Sequence, residues 1–158
     1  MKIEEEIGRL LRDRKFTLSI AESCTGGLVS HLITNVPGSS DYFDRGYVVY
    51  SNRAKTELLG VSEYTIKKHG AVSSNTAAAM AEGVKTKSGT NIGLSITGIA
   101  GPGGGAIEKP VGLVYIAVAG CKKTECKEYM FKGKREEIKL QSAKAALEFL
   151  KDYLGAKT

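Results

Sequence analysis

Residues 18 to 27 read LSIAESCTGG, and LVSHLI follows. Ser23, Cys24 and Thr25 stand between an apolar run that stops at Glu22 and the pair Gly26-Gly27. A serine hydroxyl or a cysteine thiol in that position can attack a carbonyl, provided a neighbouring base removes its proton. Backbone N–H groups that open a helix, approached closely across glycines, could hold a phosphate or the oxyanion of an acyl transfer. The same residues have plain structural uses as well. Ser23 and Thr25 are favoured helix caps, and Cys24 can serve as a small buried side chain. The pattern alone leaves both readings open.

A second segment of the same kind is TGIAGPGGG, residues 97–105. Residues 101–106 formally fit G-x-G-x-x-A, but Pro110 and a new apolar run follow where a dinucleotide fold requires a helix. The Gly-Lys-Ser/Thr of a triphosphate-binding loop is also missing. The segment reads either as a flexible connection or as ligand-facing backbone.

Positioning these two segments requires strands that end at them. Ile3, Ile7, Leu10 and Leu11 have helical spacing, so residues 2–14 are expected to form an amphipathic helix. Residues 17–22 read as a buried strand, and Leu28 to Val36 return to a helical period that Pro37-Gly38 ends. A loop over 39–45, a strand GYVVYS and a helix from Asn52 to a stop at Gly60 are expected next. Ser62 caps a short helix to about Lys68, and Ser73 or Ser74 caps an alanine-rich one. NIGLSIT, PVGLVYIAVAG and CKEYMFKG supply three more strands, the last two as a hairpin. A closing helix over 134–153 carries Leu140, Leu147, Leu150 and Leu154 on one side. The expected fold is a three-layer α/β/α sandwich with a mixed, mostly parallel sheet of about five strands. In such a sheet, ligands settle at the carboxyl edge, where both small-residue segments fall.

Bulk properties narrow the function classes. A chain of 158 residues fits one domain, residues 1–158, with no need of a metal or disulfide to fold. Net charge of +6 suits an anionic partner, but no aromatic residues interleave the basic ones, so nucleic acid is not expected. Three cysteines without a C-x-x-C pair and two histidines argue against a disulfide framework and a metal site. The N-terminus has no leader pattern, and no apolar run approaches the ~20 residues of a membrane helix. A cytoplasmic protein with no membrane partner is expected.

Taken in order, AESCTGG, PGSSxxFxxG, YSNxxK, HGAVS, TGIAGPxGG and KPVG, over residues 17–119, resemble the C-terminal domain of the competence-damage-inducible CinA family. The likeness continues less sharply to about residue 147. That family includes stand-alone amidases that hydrolyse the carboxamide of nicotinamide mononucleotide to nicotinate mononucleotide and ammonia, and the present chain is expected to be of this form. The resemblance implies Ser23 as nucleophile, Lys55 as its general base and Tyr50 as a group that orients the pair or relays a proton. It further implies that Cys24, Thr25, Gly26 and Gly27 line the substrate, with their N–H groups at the oxyanion. Thr97, Gly98, Gly101, Pro102, Gly103, Gly104, Ser40 and Arg135 are then expected to contact the nucleotide. No cofactor or metal is implied. The partner is a phosphorylated pyridine nucleotide, and the assembly a homodimer or larger homo-oligomer. A non-catalytic nucleotide-binding module is the competing reading, and Cys24 the competing nucleophile. Two positions depart from the family pattern: Gly103 replaces an Asp or Thr, and Lys134 replaces the acid of Gly-Asp-Arg.

Overall fold

The computed structural model describes residues 1–156. Its elements are α1 (Ile3–Arg14), β1 (Leu18–Glu22), α2 (Leu28–Thr34), β2 (Phe43–Val48), α3 (Asn52–Leu59) and α4 (Glu63–His69), then α5 (Ser74–Ser88), β3 (Ile92–Gly98), β4 (Leu113–Ala119), β5 (Thr124–Met130) and α6 (Arg135–Gly155). Five strands form one sheet in the order β2-β1-β3-β4-β5. β1 pairs parallel with β2 and β3, while β3–β4 and β4–β5 are antiparallel, so parallel and antiparallel pairings are equal in number. The expected mixed three-layer sandwich is present, with four of its five strands running the same way and β4 alone opposed.

Strand alternation divides the sheet into two unlike faces. Leu18, Ile20, Ile92, Leu94, Ile96, Val114, Ile116 and Val118 point to one side and pack with α1, α2 and α6. The opposite face is built from small residues, among them Ala21, Ala117 and Ala119, under α3, α4 and α5. Gly93 shows why: a Cβ there would lie 2.2 Å from the Ala81 carbonyl oxygen of α5. Small side chains on the sheet therefore let α5 approach closely. Ser19 and Ser95 satisfy their buried hydroxyls on α5 carbonyls, of Val84 and Ala77.

Two strand boundaries and one helix face differ from expectation. β2 starts at Phe43, inside the expected loop, because its ladder with β1 begins at Leu18↔Phe43. β5 starts at Thr124, because its antiparallel register with β4 is set by a tight turn in which Gly120 N–H donates to Lys123 O. Leu140 is 43% exposed, whereas Leu147, Leu150 and Leu154 on the same helix are buried, so the expected leucine stripe does not extend to Leu140. The capping expectations at Ser62 and Ser73 hold: their hydroxyls accept from Thr65 N and Thr76 N.

Candidate functional site

The chain leaves β1 for β2 through α2 on one face, and leaves β2 for β3 through α3, α4 and α5 on the other. β1 and β3 are thus the adjacent strands at which connections diverge, the position where open α/β sheets place their ligands. Ser23 follows β1 there, and its N–H donates to Ile96 O of β3 at 2.9 Å.

Alternation past the end of β1 accounts for the Glu-Ser-Cys order. Glu22 continues the face of Leu18 and Ile20, towards α2. Its carboxylate is 1% exposed and accepts five hydrogen bonds: from Thr25 Oγ1, Gly27 N, Val29 N, Ser30 N and Ser30 Oγ. It therefore caps α2 and fixes the Ser23–Gly27 turn, a role the sequence reading missed. The signal was available, since an acid ending a fully apolar strand just before a helix start can satisfy that helix's unpaired N–H groups. With those donors taken, the α2 N-terminus is not open to a phosphate. The Thr25 N–H remains without an acceptor among the described residues, while the Cys24 N–H lies against its own sulfur.

Ser23 turns the opposite way, towards α3. Ser51 Oγ caps α3 by accepting from Ala54 N, which sets Lys55 on the buried side of its first turn. Lys55 is 1% exposed, and its Nζ lies 3.1 Å from Ser23 Oγ and 3.2 Å from the Tyr50 carbonyl oxygen. Burial lowers the Lys55 pKa from its ordinary value, and no carboxylate acts on it in the opposite sense. The amine donates to both oxygens, and once neutral it can keep the bond to Tyr50 O while turning its lone pair to the serine hydroxyl. The arrangement can activate an oxygen nucleophile.

Cys24 alternates back to the α6 side and sits in the core with Ile7, Leu11 and Val29. Burial pushes its thiol up to about 12. It remains a protonated thiol at neutral pH, on the other side of the turn from Lys55. Iodoacetamide at pH 7 is expected to label exposed Cys121 while leaving Cys24 unmodified in the native chain, read by peptide mass spectrometry.

Other expected residues are distributed unevenly around Ser23. The Tyr50 hydroxyl accepts from Arg135 Nη2 at 2.8 Å, and it is the Tyr50 carbonyl, not the ring, that touches Lys55. Arg135 Nη1 donates to Gly101 O at 2.7 Å, so this arginine ties the glycine loop to the Tyr50 segment across the mouth of the site. Thr97 is next in register to Ser23 but is 1% exposed and donates to Ala71 O. A Cβ on Gly98 would meet Val114, and one on Gly101 would meet Val111, so packing requires these two glycines. Pro102, Gly103 and Gly104 are exposed, and Gly103 has open space around it. Ser40 is not brought to this edge. It precedes β2, and because β2 runs parallel to β1, residues before β2 lie at the amino edge of the sheet, opposite Ser23.

A hollow of about 580 Å³ between α3 and α4 is lined by Asn52, Arg53, Thr56, Glu57, Glu63, Ile66 and Lys67, none of them a residue of the Ser23 site. Among the described residues no cluster of three His, Cys, Asp or Glu could hold a metal ion, and no helix is long and apolar enough to cross a membrane.

Comparison with known proteins fits this arrangement. The CinA C-terminal domain model matches residues 1–154. A CinA-like protein of Syntrophus aciditrophicus is 51% identical over 155 residues, 98% of this chain and 37% of that protein. One of Thermotoga maritima is 52% identical over 153 residues, 97% of this chain and again 37% of the relative. The chain thus spans little more than a third of the length of the curated relatives it matches. Among solved structures, a competence/damage inducible protein of Agrobacterium tumefaciens is 43% identical with a TM-score of 0.90, over 98% of this chain and 96% of that one. The competence damage-inducible protein A of Klebsiella pneumoniae is 31% identical with a TM-score of 0.95, over 99% and 97%. With its Ser23–Lys55 contact at the β1–β3 switch point, the chain belongs to the CinA C-terminal domain family.

Proposed function

We propose that this chain is an amidohydrolase that cleaves the carboxamide of nicotinamide mononucleotide, giving nicotinate mononucleotide and ammonia. The observation that carries the reading is a buried lysine amine 3.1 Å from a serine hydroxyl, with no carboxylate to hold its charge. A binding module gains nothing from burying such a group, whereas a Ser–Lys hydrolase requires it.

Neutral Lys55 takes the Ser23 proton as Oγ bonds to the carboxamide carbon. Charge gathers on the amide oxygen, which the unengaged Thr25 N–H receives, joined by the Cys24 N–H as it turns from its own sulfur. Lys55 then gives its proton to the departing nitrogen, and ammonia leaves an ester on Ser23. Water, deprotonated by the same amine, adds to that ester, and cleavage returns the Ser23 hydroxyl and the acid. Arg135, bridging Tyr50 and Gly101, holds the walls of the mouth in place during both halves.

The test is to incubate the protein with nicotinamide mononucleotide and measure ammonia and nicotinate mononucleotide together. Equal yields of the two support the reading. Nucleotide that binds but stays intact at high enzyme concentration favours the non-catalytic module instead.

A further inference from the structure

Three cationic side chains stand around the Ser23 site, and two are already engaged. Lys55 bonds Ser23 Oγ and Tyr50 O; Arg135 bonds Gly101 O and Tyr50 OH. The third is Lys139, a half-buried residue on α6. Its Nζ lies 3.7 Å from the point a Cβ would occupy on Gly26, on the side of the turn away from Lys55. It makes no hydrogen bond or ion pair among the described residues, and the nearby acid Glu137 is occupied with the Lys134 N–H at the start of α6. Arg135 and Lys139 are one turn apart on one helix face, a like-charge spacing that costs helix stability unless an anion lies between them.

Apart from the backbone N–H groups given over to the oxyanion, the turn offers little to an anion. Glu22 already occupies the N–H groups of Gly27, Val29 and Ser30. Thr97 donates to Ala71 O, and Ser40 lies at the opposite edge of the sheet. An anionic group on a substrate seated over Ser23 therefore needs a side-chain cation, and Lys139 is the unengaged one.

We infer that the Lys139 ammonium is the specificity-determining group that selects a phosphorylated amide over its uncharged counterpart, holding the phosphate above Gly26 and Gly27. This rests on the amidase reading for the identity of the ligand, but binding can judge it without turnover. In a Ser23→Ala background, calorimetry compares nicotinamide mononucleotide with the dephosphorylated riboside, with and without Lys139→Gln. Loss of a charge-assisted contact is expected to weaken the mononucleotide about tenfold to hundredfold. Affinity for the riboside is expected to change less than about twofold on the same scale. Lys139→Arg should recover most of the mononucleotide affinity, and far-ultraviolet circular dichroism checks that each variant is folded. Equal weakening of both ligands, no change in either, or no mononucleotide binding to the parent overturns the inference. A wild-type chain that binds mononucleotide through Lys139 yet releases no ammonia loses the amidase reading and keeps this one.

Discussion

Ser23→Ala and Lys55→Met are each expected to lower kcat for ammonia release by about 10⁴-fold or more, with the double variant little worse than either. The two groups perform one proton transfer, so removing either leaves nothing for the other to do. Cys24→Ala should stay within a few-fold of wild type, because its thiol faces the α6 core. Activity that survives Ser23→Ala but vanishes in Cys24→Ala would make Cys24 the nucleophile.

Lys55→Met has a second, opposite consequence. The folded-state pKa of Lys55 lies below its ordinary 10.5. Between those two values the unfolded chain binds the extra proton, so stability rises with pH across that window. Below the window the buried charge is a constant cost. A methionine of similar length removes that cost when packing is kept, because it brings no charge into the site. The variant should melt higher than wild type at pH 7, with a gap that narrows as pH approaches the ordinary lysine value. The kcat/KM of the wild type should rise with pH through the same lowered pKa, as the neutral amine becomes populated. A Lys55→Met chain that loses stability at pH 7 would show that the amine is held by favourable contacts and is no strained base.

Ser23 and Lys55 could be named from the sequence because each lies in a recognisable local motif, AESCTGG and YSNRAK. Their pairing is implied by the family resemblance, but no local motif encodes its geometry, which depends on α3 crossing the small-residue face of the sheet. Tyr50 is expected to orient the pair or relay a proton, and what touches Lys55 is its backbone carbonyl, which leaves no mark in residue type. Ser40 was misplaced because PGSS reads as a loop like any other. Only the parallel direction of β2 against β1 puts that loop at the far edge. The glycine loop was half legible: Gly98 and Gly101 serve packing against β4 and Val111, which no spacing rule separates from ligand approach. Lys139 drew no attention because a helical lysine is the commonest surface residue of its kind. Its position over Gly26 is a tertiary fact, fixed by α6 packing along α1 and α2.

Glu22→Leu is expected to remove about 3–5 kcal/mol of stability, the cost of leaving several buried donors without an acceptor. For a chain of this size that is a fall in Tm of roughly 10 °C. Leucine would match the apolar strand it ends, which makes the substitution attractive by hydropathy and wrong by hydrogen bonding. Thr25 Oγ1, Val29 N and Ser30 N are all oriented to one carboxylate, and no other acceptor is within reach of them among the described residues. Glu22→Gln should fall between the two, since its carbonyl oxygen keeps part of the set while its NH₂ is forced against a donor. The same ranking should appear in catalysis. Glu22 sets the turn whose first residue is Ser23, so the glutamine variant should lose kcat with little change in KM, while binding through α6 is untouched. Urea melts of the three proteins, with kcat and KM of the folded fraction, check both parts. A leucine variant as stable as wild type would mean that solvent satisfies these donors and that the carboxylate does not hold the turn.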